Sequence, residues 1–243
     1  MPANAVPALQ IYIQGATYDA TDETWVASSS VFSPVRLWVV GNIDGAGGKG
    51  DLFDVRAAFS YGSDAGNVTL DISPATTGGY GGFFDPSPPA GPTLLGTHTD
   101  GSQPTLANGK SLASHGEYGA DTYWQEWALG DFNLVDSPIA DFIDSFPNAP
   151  FDPMGQINAY DITVAGLAEG ENVHIDVYGY YLTSTEKVKA VFAPFSHDGA
   201  FSQIPFNPNP TTDPGPATDV PAPGAALLFA GAALWLAARR RRA

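Results

Sequence analysis

The sequence predicts an all-β fold: an antiparallel β-sandwich, jelly-roll-like, with long Gly/Pro-rich loops, followed by a linker and a single short C-terminal transmembrane helix. Three observations carry this. Residues 53–61 and 173–177 alternate apolar and polar with a period of two, which is the period of a strand with one face buried. Glycine and proline, 27 and 21 of 243 residues, punctuate the chain into short segments while staying below the level that implies disorder. The one long uncharged run, residues 224–238, stands at the end and is closed by four arginines.

In order along the chain, Leu9, Ile11 and Ile13 alternate with Gln10, Tyr12 and Gln14, a half-buried strand ended by Gly15. Trp25-Val26 and residues 35–40 give further extended segments, the second closed by Gly41-Asn42. Phe53, Val55, Ala57, Phe59 and Tyr61 face one way with Asp54, Arg56 and Ser60 opposite; a turn over 62–67 then leads to Val68, Leu70 and Ile72, so 52–73 reads as a β-hairpin. Residues 74–110 read as a long surface excursion held down only where Phe83, Phe84 or Leu94-Leu95 pack.

Residues 123–134 read as extended, although Trp124 and Trp127 would also share one face of a helix. The one short helix expected spans 138–146, with Asp136 or Ser137 as its N-cap and Pro138 in the first turn. Strands over 157–164 and 173–182 follow, then a last one over 188–195. Seven to nine strands result. The expected organisation is a signal-peptide cleavage remnant at 1–5, an extracellular sandwich at 6–204, a Pro/Thr/Asp linker at 205–219 and a sorting segment at 220–243.

That last segment joins Val220, Pro221 and Pro223, an apolar stretch at 224–238, and Arg239, Arg240, Arg241 and Arg242. Fifteen helical residues reach about 22 Å, short of the ~30 Å hydrocarbon core, and the arginines would hold the C-terminus in the cytoplasm. The tail resembles the PEP-CTERM class of bacterial sorting signals, in the variant with Ala222 where the commonest form has glutamate. The resemblance implies recognition and removal by an exosortase-like membrane enzyme; a plain tail anchor is the alternative. Ala3-Asn4-Ala5 is an A-x-A pattern, so the chain is expected to start at or just before a signal-peptide cleavage site.

Composition agrees with export. All 26 acidic residues precede position 220 but only six of the ten basic ones do, so the body carries 20 negative charges in excess. That excludes nucleic acid, which needs a basic face. With no cysteine there is no disulfide framework and no thiolate metal site.

Leu9 to Asp19, Glu23-Thr24-Trp25-Val26, Ser114-His115-Gly116, residues 173–178 and Ala193-Pro194-Phe195-Ser196-His197-Asp198 together resemble the choice-of-anchor N proteins. The resemblance implies a shared extracellular body on differing C-terminal anchors. It implies a location, cell surface or extracellular, and no site residues.

No enzyme is expected. His98, His115, His174 and His197 have no metal-ligand spacing, and no Ser is tied to a His and an Asp; His174 reads as an exposed partner of Asp176, and His197-Asp198 as a turn. Glu117 and Glu126 form a glycosidase pair only by abundance of carboxylates. Two non-enzymatic readings compete: a structural or adhesive surface or matrix protein associated with exopolysaccharide or other surface proteins, and a carbohydrate-binding module. For the second, the candidate stacking aromatics are Tyr80, Phe83, Trp124 and Trp127, with Phe84, Tyr118 and Tyr123.

No cofactor is expected, with calcium as the one open case. The loop 41–51 offers Asn42, Asp44 and Asp51 among five glycines, with Lys49 and the broken EF-hand spacing against it; a capped glycine turn explains the same residues. If calcium binds there, melting of residues 6–219 shifts upward in millimolar calcium and the shift vanishes in Asp44→Ala. An unchanged midpoint between calcium and chelator removes the metal.

Overall fold

The computed structural model describes residues 8–19, 24–30, 34–43, 49–77, 89, 91–112, 118–142, 154–168, 170–193 and 198–204. The expected sorting segment and linker lie outside them. The described part is all-β with no helix. A five-stranded sheet contains β1 (Leu9–Ile13), β4 (Val35–Gly41), β10 (Met154–Ala165) and β6 (Thr69–Thr77) in that order, with β9 (Ser137–Pro138) on β10. An eight-stranded sheet runs β2 (Thr17–Asp19), β3 (Thr24–Ser30), β13 (Asp198–Ile204), β11 (Asn172–Leu182), β5 (Leu52–Gly62), β8 (Thr122–Phe132), β7 (Thr93–His98), with β12 (Val188–Phe192) on β11.

The chain passes repeatedly from one sheet to the other, and a single hydrophobic core takes side chains from both. Leu9, Ile11, Ile13, Leu37, Val39 and Ile162 of the five-stranded sheet join Val55, Ala57, Phe59, Val173, Ile175 and Val177 of the eight-stranded one. The two-residue periods of 55–61 and 173–177 thus identify the core-facing side chains of two neighbouring strands. Pairing is antiparallel throughout except between β13 and β3, which run parallel, so the larger sheet is mixed. The 198–204 strand was not expected; its Gly-Ala-Phe-Ser-Gln stretch has little β-branched character.

The expected hairpin over 52–73 is not one. β5 pairs with β11 and β8, whereas β6 pairs with β10 in the other sheet. The connection is an arch between sheets, and a second arch, from β10 to β11, lies against it. Buried Ala65 accepts the Ala168 amide at 2.7 Å, and the backbones meet so closely that a Cβ on Gly166 would lie 2.0 Å from the Asn67 carbonyl oxygen. Strand periodicity is the same for a hairpin and an arch. What decides between them is the partner each strand finds, and each arch supplies the other's partners.

Two further expectations give way to burial. β1 is buried on both faces, because residues 139–142 cover the side away from the core. Gln10 Nε2 donates to the Ala140 carbonyl at 2.6 Å, Gln10 Oε1 accepts from the Phe142 amide at 3.1 Å, and Tyr12 stacks on Phe142. Those backbone groups are the ones a helix would consume, so 138–142 is not helical: Ser137–Pro138 pairs with Met154 and Gly155, and Ile139, Ala140 and Phe142 are all buried. The rest of the expected helix, 143–146, lies outside the described residues. The surface excursion is likewise ordered in part, with β7 paired to β8.

The arch interlock makes Gly166 intolerant. Gly166→Ala combines a positive φ of 78° with a backbone clash and should cost about 2 kcal/mol or more, lowering Tm by roughly 4–8 °C. Gly15→Ala, at a φ of 81° with open space around it, should cost about 1 kcal/mol. Equal losses would show that the interlock does not hold the arches.

Candidate functional site

The distinctive chemistry lies on the face of the eight-stranded sheet turned away from the core. Residues directly opposite one another across an antiparallel pair share a face. Register therefore places Ser60, Ala58, Arg56 and Phe53 of β5 in rows with His174, Asp176, Tyr178 and Tyr180 of β11, and with Trp124, Glu126 and Ala128 of β8.

One half of this face is covered. Residues 104–112 form a small ribbon: the Leu106 amide donates to the Lys110 carbonyl and the Leu112 amide to the Pro104 carbonyl, both at 2.8 Å. It lays Leu106 and Leu112 into a second core with Ala58, Tyr118, Trp124 and Tyr178. Under this cover Tyr118 donates to Asp176 Oδ2 at 2.6 Å, and His174 Nε2 sits 3.1 Å from the same oxygen. His174 and Asp176 are thus partners as expected, but buried rather than exposed. Ser60 stands opposite His174 and is also buried, its Oγ without a hydrogen bond. Register thereby brings a Ser, a His and an Asp together where sequence spacing does not. All three are buried.

A charged network marks the border of the cover. Arg56 donates from Nε and Nη2 to the two oxygens of Asp54 at 3.0 and 2.7 Å, and from Nη1 to Glu126 Oε1 at 3.1 Å. These bonds, Asp54's first, raise the Arg56 pKa, so it stays charged. Tyr178 donates to the same Glu126 oxygen; burial and that bond raise the Tyr178 pKa, which keeps the phenol protonated as a donor. Asp54 has a φ of 48°, unusual for a residue with a side chain, at a bulge where its amide donates to Asp131 Oδ1 at 2.8 Å. Strained bulges re-aim side chains, and here the bulge turns the Asp54 carboxylate onto Arg56.

The other half of the face is open. Phe53 and Tyr180 stack with centroids 5.6 Å apart and planes at 29°, and Phe192, beside Tyr178, is 38% exposed.

Of the residues expected to stack on sugars, Trp124 is 3% exposed, its ring covered by His98 at 3.8 Å and its Nε1 donating to the Ser102 carbonyl. Trp127 is half-buried against the main core with its Nε1 enclosed, Tyr123 packs there too, and Tyr118 belongs to the second core. Tyr80, Phe83 and Phe84 lie outside the described residues, as do His115, His197 and Glu117, and Val220, Pro221, Pro223 and Arg239, Arg240, Arg241 and Arg242. In the calcium loop Asn42 is buried, Asp51 is exposed and Asp44 is outside the described residues; the Lys49 amide donates to the Asn42 carbonyl at 3.3 Å. Among the described residues no group of three His, Asp or Glu is placed to hold a metal.

Sequence reasoning missed the ribbon and the open strip. Asn108-Gly109 between Leu106 and Leu112 is a turn signal flanked by apolar residues and pointed to the ribbon. Phe53 read as a core residue because the bulge after Leu52 shifts the alternation by one.

The fold and this face define an all-β, two-sheet body with one covered and one open half on its larger sheet. No protein-family model and no curated protein matches the chain. Among solved structures it is similar to the C-terminal domain of the Streptococcus agalactiae AgI/II polypeptide BspA, with 9% identity and a TM-score of 0.24 over 77% of this chain. The match spans about half, 49%, of that structure.

The covered half depends on the Tyr118 bond. Tyr118→Phe removes a donor to a buried carboxylate and should cost about 1.5–3 kcal/mol, about 3–10 °C in Tm, while loosening hydrogen-exchange protection over 104–112. Unchanged protection there would mean that the ribbon holds by its leucines alone.

Proposed function

We propose that the chain is an exported bacterial cell-surface or extracellular-matrix protein with a structural or adhesive role in association with exopolysaccharide. The observation that carries the proposal is the tail: a Val-Pro-x-Pro entry, an apolar stretch of one short helix and an abrupt arginine stop, on a body with 20 excess negative charges. In this reading the helix at 224–238 anchors the protein transiently in the inner membrane, an exosortase-like enzyme removes it, and the jelly-roll-like body is released to the surface. No reaction is assigned to the body, and other surface proteins are its alternative partners.

The second reading, a carbohydrate-binding module, is favoured by the open aromatic half of the larger sheet. Its stacking residues then differ from those the sequence put forward.

The tail reading is tested by intact-mass analysis of the protein from fractionated native cells. The mature chain should end near 220–224 and be recovered outside the inner membrane, together with extracellular polysaccharide. Full-length protein retained stably in the inner membrane, with residues 239–242 still attached, would overturn it.

A further inference from the structure

The open half of the larger sheet is built like a contact surface for a flat, hydroxyl-bearing molecule. Register sets two rows on one face: Phe53, Tyr180 and Ala190, and beside it Arg56 and Phe192 on either side of Tyr178, which is buried at the edge of the cover. Leu182 and Val188, paired across β11 and β12, continue the strip and are 41% and 45% exposed. Soluble proteins seldom leave a run of large apolar side chains open without a use for it.

Polar groups are set along one margin of the strip. Arg56 has five N–H groups and spends three on Asp54 and Glu126, so two remain for a ligand on a side chain that is 31% exposed. The Asp54 carboxylate, 46% exposed, adds acceptor positions beside them. The covering ribbon walls off the far side, which leaves a one-sided ledge and not a closed pocket.

We propose that this ledge, with Phe53, Tyr180 and Phe192 as its floor and Arg56 and Asp54 at its margin, binds an uncharged polysaccharide chain. The proposal deepens the carbohydrate-binding reading and rests on it. A sugar ring presents a face of C–H groups, which suits the electron-rich face of an aromatic ring, and hydroxyls at its edge, which suit the fixed donors and acceptors of the margin. Charge selects the class. The body's negative excess repels an anionic polymer, and Arg56 is already neutralised by two carboxylates. The strip runs across three strands, from Phe53 of β5 over Tyr180 of β11 to the exposed Phe192 of β12, an extended contact that fits a chain better than a small compact ligand.

The test is affinity electrophoresis of the full chain, in a mild non-ionic detergent, through gels holding hydroxyethylcellulose, dextran, galactomannan or alginate. At least one of the three neutral polymers should retard it and alginate should not. Tyr180→Ala and Phe192→Ala should each weaken that retardation fivefold or more with melting midpoints close to the parent's, while Leu94→Ala, on an exposed position of β7, should leave it unchanged. Retardation by no neutral polymer, or by alginate alone, overturns the ligand class. Retardation that survives both aromatic variants overturns the site, and so does a dimer abolished by Phe192→Ala, which would make a second copy the occupant. These failures leave the surface assignment standing, since that is decided by where the native protein is recovered.

Discussion

Three polar side chains on one strand tie the two sheets together. Gln156, Asn158 and Tyr160 project from β10 into the core, where Gln156 donates to Asn158 at 3.0 Å, Asn158 to the Tyr160 hydroxyl at 3.2 Å, and that hydroxyl to the Leu129 carbonyl of β8 at 3.4 Å. Gln156 Oε1 accepts the amides of Asn133 and Leu134, both at 2.8 Å, just past the end of β8. All three are buried, so a lost partner would leave an unpaired polar group in an apolar interior at a cost of about 1–3 kcal/mol. Apolar packing tolerates small slides of one sheet over the other. This ladder does not, and it sets where β8, with Trp124 and Glu126, lies above β10.

How far the sequence could be read follows from what each signal measures. Alternation reports which side chains are buried, and it located β5 and β11 and their inward faces. It is silent on partners, so the segment from 52 to 73 looked like a hairpin although its strands enter different sheets. It also assumes that the face opposite the core meets water. That assumption failed wherever a later segment came to cover it: residues 139–142 over Gln10 and Tyr12, and residues 104–112 over the His174 face. In both places a polar residue taken as exposed, Gln10 or His174, is buried and bonded by side chains or backbone far away in sequence. The same long-range bonds took Ala140 and Phe142 out of the expected helix. The aromatic ledge escaped notice for a local reason, since one bulge residue is enough to move Phe53 from the inner set to the outer one.

The covered half of the outer face pays in desolvation for its position. His174, Asp176 and Ser60 are taken out of water there, and the bonds from Tyr118 and His174 to Asp176 offset that cost. What the cover achieves is an edge. Leu106, Leu112 and the stacked His98 and Trp124 end the exposed surface abruptly, next to Arg56 and Glu126, so the charged network sits with apolar matter on one side and the aromatic strip on the other. A hydrogen bond made at such a margin competes with less water than one made on an open sheet.

The ledge and the arches stand at opposite ends of the same strands. β5 extends over eleven residues, roughly 35 Å at ~3.3 Å per residue, from Leu52 beside the ledge to Gly62 at the arch. Its pairing with β11 runs from Leu52 to Ser60 with one shift, and its pairing with β8 carries on to Gly62, so the strand that holds Phe53 against Tyr180 is the one that enters the arch. The backbone interlock of 66–67 with 166 leaves no freedom at the far end, and the ladder leaves none across the sandwich. Side chains carried by strands held in this way need little ordering when a partner arrives, and the entropy cost that weakens binding by loops is largely met in folding. A surface held this firmly suits contact with an extended, repetitive partner, where many modest interactions must stay in register along its length.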